Sequence, residues 1–265
     1  MSFIDRLNNV IDKKNSLLCV GIDPVLEKLP EEFQSQKDPL FAFSKYIIDQ
    51  THEYVVSYKP NSAFYEALGS SGIEQLHNAC RYIKETYPET LILLDAKRAD
   101  IGTTNEAYAK YAFDYMGADA ITLHPYLGQE AVQPFLDRTE KGSIILCRTS
   151  NPGAGEFQDL VIEGKSLYQR VAQGVSEKWN TNRNCMLVVG ATYPEELREI
   201  RTIVDDMPIL VPGIGAQGGD LQKTLEAGLT HDKKGLLISI TRSIIYAGNP
   251  GQEAQKMMQD INNLR

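Results

Sequence analysis

Leu91-Ile92-Leu93-Leu94-Asp95-Ala96-Lys97-Arg98-Ala99-Asp100 is an apolar run that ends in two carboxylates with an ammonium between them. Consecutive apolar residues followed abruptly by charge mark a strand buried on both faces, at the point where it leaves a parallel sheet. Side chains alternate along a strand, so Asp95 and Lys97 are expected on one face. A charged pair there needs partners or a task, because burying an unpaired charge is costly. Taken alone, Asp95-x-Lys97 also reads as a salt bridge capping a core strand. The segment that follows, Asp100-Ile101-Gly102-Thr103-Thr104, and the scaffold around it favour a functional reading.

The same kind of run recurs along the chain. Eight β-rich stretches are predicted near Leu17–Asp23, Val55–Lys59, Leu91–Lys97, Ala118–His124, Gly142–Thr149, Cys185–Ala191, Pro208–Pro212 and Gly235–Thr241. Between them lie stripes at helical spacing: Ile73, Leu76, Cys80 and Ile83; Leu167, Val171, Val175 and Trp179; Leu197, Ile200 and Val204. Such stripes read as sheet-facing core. Alternating strands and helices imply repeated βα units and a parallel sheet. The fold expected is α/β, a single-domain (β/α)8 TIM barrel over residues 1–265. An extra N-terminal helix carrying Phe3, Leu7, Val10 and Ile11 should cover the barrel bottom, and a last helix with Met257, Met258, Ile261 and Leu264 should complete the outer ring.

With 265 residues and 42% hydrophobic content, the chain suits one large core of this kind. A formal net charge of -8 argues against a nucleic-acid or anionic-membrane surface, while leaving room for a local basic pocket that holds one phosphate. The partner expected is a small anion, with no nucleic acid and no membrane. Cys19, Cys80, Cys147 and Cys185 are far apart and lack Cys-x-x-Cys spacing, so they read as core thiols in a reducing compartment. The start, Met1-Ser2-Phe3-Ile4-Asp5-Arg6, has no basic region followed by an apolar stretch, and no segment has the roughly 18 apolar residues a membrane span needs. A cytoplasmic location is expected.

In a barrel of this type, functional groups gather at the C-terminal ends of strands. Here those ends carry Asp23, Lys59, Asp95 with Lys97, His124 and Ser150, then Gln217 beyond the seventh strand and Arg242 after the eighth. Val211-Pro212-Gly213-Ile214-Gly215-Ala216-Gln217-Gly218-Gly219-Asp220 would bring bare backbone close to a ligand, and its amides, with the N-terminus of the next helix, suit an anion. A purely structural glycine turn is the alternative. Its glycines also fit a dinucleotide fingerprint, but that requires an early βαβ unit and an acidic residue ending the next strand, where this chain has Thr241-Arg242. A guanidinium suits phosphate.

These residues resemble the orotidine 5'-phosphate decarboxylase family. The signature is Asp-x-Lys-x-x-Asp, then Ile, then Thr three positions on, supplied here by Asp95, Lys97, Asp100, Ile101 and Thr104. Gly21-Ile22-Asp23-Pro24, Tyr58-Lys59-Pro60-Asn61, Arg148-Thr149-Ser150-Asn151-Pro152 and Pro212-Gly213-Ile214-Gly215-Ala216-Gln217 are similar to its longer-chain branch. The resemblance implies a homodimer that converts orotidine 5'-phosphate to uridine 5'-monophosphate and CO2 without metal or organic cofactor. It further implies a charge network of Lys59, Asp95, Lys97 and, from the second subunit, Asp100, with Lys97 as proton donor. Asp23, Lys59 and Asn61 would hold the ribose, with Ile101 and Thr104 reaching in from the partner. Ser150 and Thr149 would address the pyrimidine edge, Pro212 would pack near the ring, and Gln217 and Arg242 would hold phosphate.

Two other readings compete. Magnesium-dependent sugar-phosphate enzymes such as hexulose-phosphate synthase resemble the same strand, but Lys59 puts an ammonium where they need an acidic ligand. A nucleotide-binding protein with a degenerate site is the other, and all four charged positions are present to oppose it.

Overall fold

Eight short parallel strands close on themselves in this computed structural model, which describes residues 1–215 and 218–265. Counting barrel strands only, β1 (Leu18–Ile22) pairs with β2 (Ser57–Pro60), followed round the barrel by β3 (Leu91–Arg98), β4 (Ala120–Leu123), β5 (Gly142–Arg148), β6 (Cys185–Val189), β7 (Ile209–Pro212) and β8 (Leu236–Ile240), which returns to β1. Closure leaves no unpaired edge. Every expected strand is present, most with ends one or two residues shorter. Their apolar side chains form one continuous cluster with the inward faces of the surrounding helices.

The N-terminal helix, Phe3–Lys14, begins with a reciprocal capping box between Ser2 and Asp5 and lies against the N-terminal mouth of the barrel. A Cβ on Gly142 would sit 2.5 Å from the Phe3 ring and 2.7 Å from Ala120, so glycine at the start of β5 is what lets the helix approach. Arg6 donates to buried Asp119 at 2.7 Å and to the Glu140 carbonyl at 2.8 Å. Asp119 also accepts the Ile92 amide at 2.9 Å, which ties this cover to β3 and β4.

Two expectations about helices need correction. The 167–179 stripe is not one regular helix: Leu167–Gly174 is α-helical, and Val175–Trp179 widens into a π-helical turn. In the final helix, Pro250–Leu264, the inward residues are Ala254, Met257 and Ile261, whereas Leu264 is exposed. A small antiparallel hairpin pairing Val161–Ile162 with Lys165–Ser166 was not expected after β5. Its turn is Glu163-Gly164, both at positive φ (51° and 78°), which suits the twist of a two-residue hairpin loop.

Candidate active site

The site begins with register. Gly21 of β1 lies opposite Lys59 of β2, and a single bridge beyond the regular ladder sets Asn61 beside Asp95. Lys59 therefore leaves β2 next to the end of β3, and its Nζ donates to Asp95 Oδ2 at 3.0 Å with both side chains buried. Gly21 has a second role. A Cβ there would lie 2.0 Å from Thr241 Oγ1, so its bareness lets the residue after β8 fold over β1.

Between β3 and β4 the register slips. Leu94 pairs with Ile121 and Arg98 with Leu123, leaving Asp95, Ala96 and Lys97 opposite Thr122 alone. This bulge puts Lys97 at φ 47°, a left-handed conformation unusual for a residue with a Cβ. Lys97 Nζ lies 2.5 Å from Asp95 Oδ1. The shared face anticipated from alternation is thus reached through a bulge. Asp95 is nearly covered, whereas half of the Lys97 side chain is exposed at the barrel mouth.

Asp95 is the anionic centre of the cluster. Burial opposes its charge, but Lys59 and Lys97 outweigh that and hold its pKa well below the usual carboxylate range. For Lys59, burial favours the neutral amine, yet Asp95 and Asp23 prevail and its pKa is raised. Asp23, just past β1, goes the other way. Desolvation raises its pKa despite Lys59, Asp95 adds like-charge repulsion, and its buried Oδ1 has no hydrogen-bond partner among the described residues. A carboxyl with a raised folded-state pKa opposes stability once pH passes the unfolded value of about 3.9. Asp23→Asn should therefore stabilise the protein at neutral pH by on the order of 1 kcal/mol. Urea denaturation at pH 7 tests this, and a less stable variant would contradict it.

Asp100, Ile101 and Thr104 are placed differently. Within the chain, Asp100 makes no ion pair among the described residues; its Oδ1 accepts the Ile101 amide at 2.7 Å. Ile101 is 60% exposed and Thr104 is exposed. The loop is nonetheless fixed. Buried Asn105 accepts the Asp100 amide at 2.8 Å, donates back to its carbonyl at 2.5 Å and also donates to the Ala131 carbonyl. Asn105 escaped the sequence reading because one amide side chain after a charged motif carries no spacing signal.

Beyond β5, the candidate ring contacts separate in character. Thr149 is engaged, with its amide bonded to Gln158 at 2.8 Å and its hydroxyl to Asn151 at 2.7 Å. Ser150 packs on Gly190, where a Cβ would come within 2.6 Å of the serine Cβ, and its hydroxyl has no bond among the described residues. Arg148, also missed, is buried with its guanidinium 3.7 Å from the Tyr193 ring centre and its Nη2 3.1 Å from Asp159 Oδ2. It clamps the 149–159 loop to β5.

Pro212 ends β7 at the same mouth. Gly213, Gly215 and Gly218 all have positive φ, and the Gly219 amide returns to the Gly213 carbonyl at 3.1 Å, closing a tight loop. Gln217 lies outside the described residues. The next helix, Leu221–Gly228, is capped by Asp220, whose carboxylate accepts the Lys223 amide at 3.0 Å. Asp220 takes up one amide of that helix start, and the loop amides and Arg242 remain candidate anion contacts. Arg242 is exposed just after β8. His124 contributes its amide to the Arg98 carbonyl at 3.0 Å. No group of three or more His, Cys, Asp or Glu is arranged to hold a metal among the described residues, and no described helix is long and apolar enough to cross a membrane.

Comparison with known proteins agrees with this geometry. Residues 16–257 match the orotidine 5'-phosphate decarboxylase / HUMPS family model. Orotidine 5'-phosphate decarboxylase of Janthinobacterium sp. (strain Marseille) is 49% identical over 247 residues, covering 93% of this chain and 90% of that protein. The enzyme of the same name from Cellvibrio japonicus (strain Ueda107) is 49% identical over 257 residues, covering 96% and 93%. Among solved structures, Leishmania donovani OMP decarboxylase superposes with a TM-score of 0.89 at 38% identity, covering 100% of this chain and 98% of that one. Barrel, signature and relatives agree: the chain belongs to the orotidine 5'-phosphate decarboxylase family, the carboxy-lyases that form uridine 5'-monophosphate.

Proposed function

We propose that Lys97 carries the central step of orotidine 5'-phosphate decarboxylation, by holding positive charge beside C6 as the carboxyl group leaves and then protonating that carbon. When the C6–carboxyl bond breaks, its electron pair stays on C6 in the ring plane, where the π system cannot spread it. A fixed charge in a preorganised pocket is the remaining means of stabilisation. CO2 departs, the pair on C6 takes a proton from Nζ, and the amine recovers one from solvent. The observation that carries this reading is the Lys97 ammonium held 2.5 Å from a buried carboxylate on a side chain that is half exposed at the barrel mouth.

The other assignments follow the same reading. Lys59 anchors Asp95 and, with Asp23 and Asn61, holds the ribose. Ser150 meets the pyrimidine edge, since its hydroxyl has no hydrogen bond among the described residues where that of Thr149 is bonded to its own loop. Pro212 packs near the ring, and Gln217 and Arg242 hold phosphate, where remote binding energy can raise the rate by assembling the charged site. Exposed Ile101 and Thr104, with Asp100 in no ion pair among the described residues of its own chain, support a homodimer in which these three residues complete the neighbouring site. We further infer a single catalytic domain over residues 1–265 and a cytoplasmic location, the latter supported by four buried, unpaired thiols.

A magnesium-dependent sugar-phosphate reaction is disfavoured by Lys59, whose ammonium already occupies Asp95 Oδ2. Following the absorbance of orotidine 5'-phosphate in excess chelator separates the two. Undiminished turnover is expected, and a requirement for added divalent cation would overturn cofactor independence.

A further inference from the structure

The bulge at the end of β3 creates a backbone problem that one side chain solves. With Asp95, Ala96 and Lys97 opposite a single residue of β4, the Ala96 and Lys97 amides lose regular ladder partners. Both donate instead to Thr122 Oγ1, at 3.0 and 2.9 Å. The same oxygen donates to Asp95 Oδ1 at 2.9 Å, the carboxylate oxygen that also binds Lys97 Nζ. A hydroxyl has one hydrogen and two lone pairs, so Thr122 is fully used, and it is 1% exposed.

We propose that Thr122 is a positioning residue for the decarboxylation: its hydroxyl fixes the left-handed backbone at Lys97 and the orientation of Asp95, and thereby sets where the lysine ammonium stands. The proposal rests on the reading of Lys97 as the acting group. Lys97 reaches the site from a strained backbone position through a long, half-exposed side chain, and such a chain is aimed only as well as its two ends are held. Asp95 holds the ammonium end. Thr122 holds the backbone end and Asp95 together, through one buried oxygen. The surrounding β4 residues Ala120, Ile121 and Leu123 are apolar, so this hydroxyl is the exception in its strand.

Thr122→Val keeps the shape and removes the hydroxyl. It should lower kcat by about 10- to 100-fold with KM for orotidine 5'-phosphate and affinity for uridine 5'-monophosphate within about threefold, because the ligand contacts are elsewhere. Thr122→Ser, which restores the oxygen, should return kcat to within about threefold of the parent. A role in stability alone predicts a lower melting temperature with unchanged kcat per folded molecule, and that result would overturn the proposal. So would a serine variant as slow as the valine one. If the valine protein does not fold, Thr122→Ala compared with Thr122→Ser makes the same measurement. Lys97→Ala, assayed alongside, keeps the two ideas apart. Normal turnover there removes the reading beneath the proposal, whereas an inactive Lys97→Ala beside a fully active Thr122→Val removes the proposal alone.

Discussion

Replacing Lys97 with alanine should reduce turnover by about 10⁴-fold or more while uridine 5'-monophosphate still binds with near-parental affinity. The size follows from the two tasks assigned to one nitrogen. Losing a preorganised charge at a developing anion removes about 10²- to 10³-fold, and losing a positioned proton donor removes about 10²- to 10⁴-fold. The fold should survive, because half of the Lys97 side-chain surface is already exposed and Asp95 keeps Lys59 and Thr122 as partners. Removing the ammonium also takes away one of the charges that holds Asp95 ionised, so its pKa should rise. Steady-state kinetics on protein purified free of host enzyme, with product binding by calorimetry, gives the answer. Turnover within about tenfold of the parent would rule Lys97 out as the acting group.

Asp100→Ala should be nearly as damaging, and to the other chain. Asp100 makes no ion pair among the described residues of its own subunit, and it stands on a loop whose Ile101 and Thr104 are exposed. In the proposed two-fold dimer, one site would take Lys97 from its own chain and Asp100 from the partner. A Lys97→Ala chain mixed with an Asp100→Ala chain should then form hybrid dimers with one intact site and one doubly defective site. With equal chains and complete exchange, half the dimers are hybrids, so about a quarter of all sites recover. Activity that never rises above the sum of the separate variants, under conditions where exchange is demonstrated, would place Asp100 outside the neighbour's site.

The barrel was legible because strands buried on both faces leave continuous apolar runs that no surface helix or loop imitates at this regular spacing. Strand ends were legible for a related reason, since charge cannot continue inside, and this located Asp23, Lys59, Asp95 and Lys97 together. What could not be read is local irregularity. The three-against-one bulge at Asp95–Lys97 has no glycine to announce it, and Thr122 inside Ala120-Ile121-Thr122-Leu123 looks like an ordinary β-branched strand residue. Nothing in the sequence marks Arg148 as buried, yet Tyr193 and Asp159 cover it. Asp220 shows the converse. Its acidic side chain was visible in the sequence, yet only the local geometry reveals that it caps the following helix by accepting the Lys223 amide.

The left-handed backbone at Lys97 bears on any redesign of this chain. Judged on conformational comfort alone, position 97 suits glycine or asparagine better than lysine. A thermostabilisation campaign that scores substitutions by backbone preference would flag this site for replacement and would delete the amine to which the chemistry is assigned here. Selection for heat tolerance without selection for growth on endogenous pyrimidine should therefore let lysine drift away from 97, and the first replacements to appear should be those two residues.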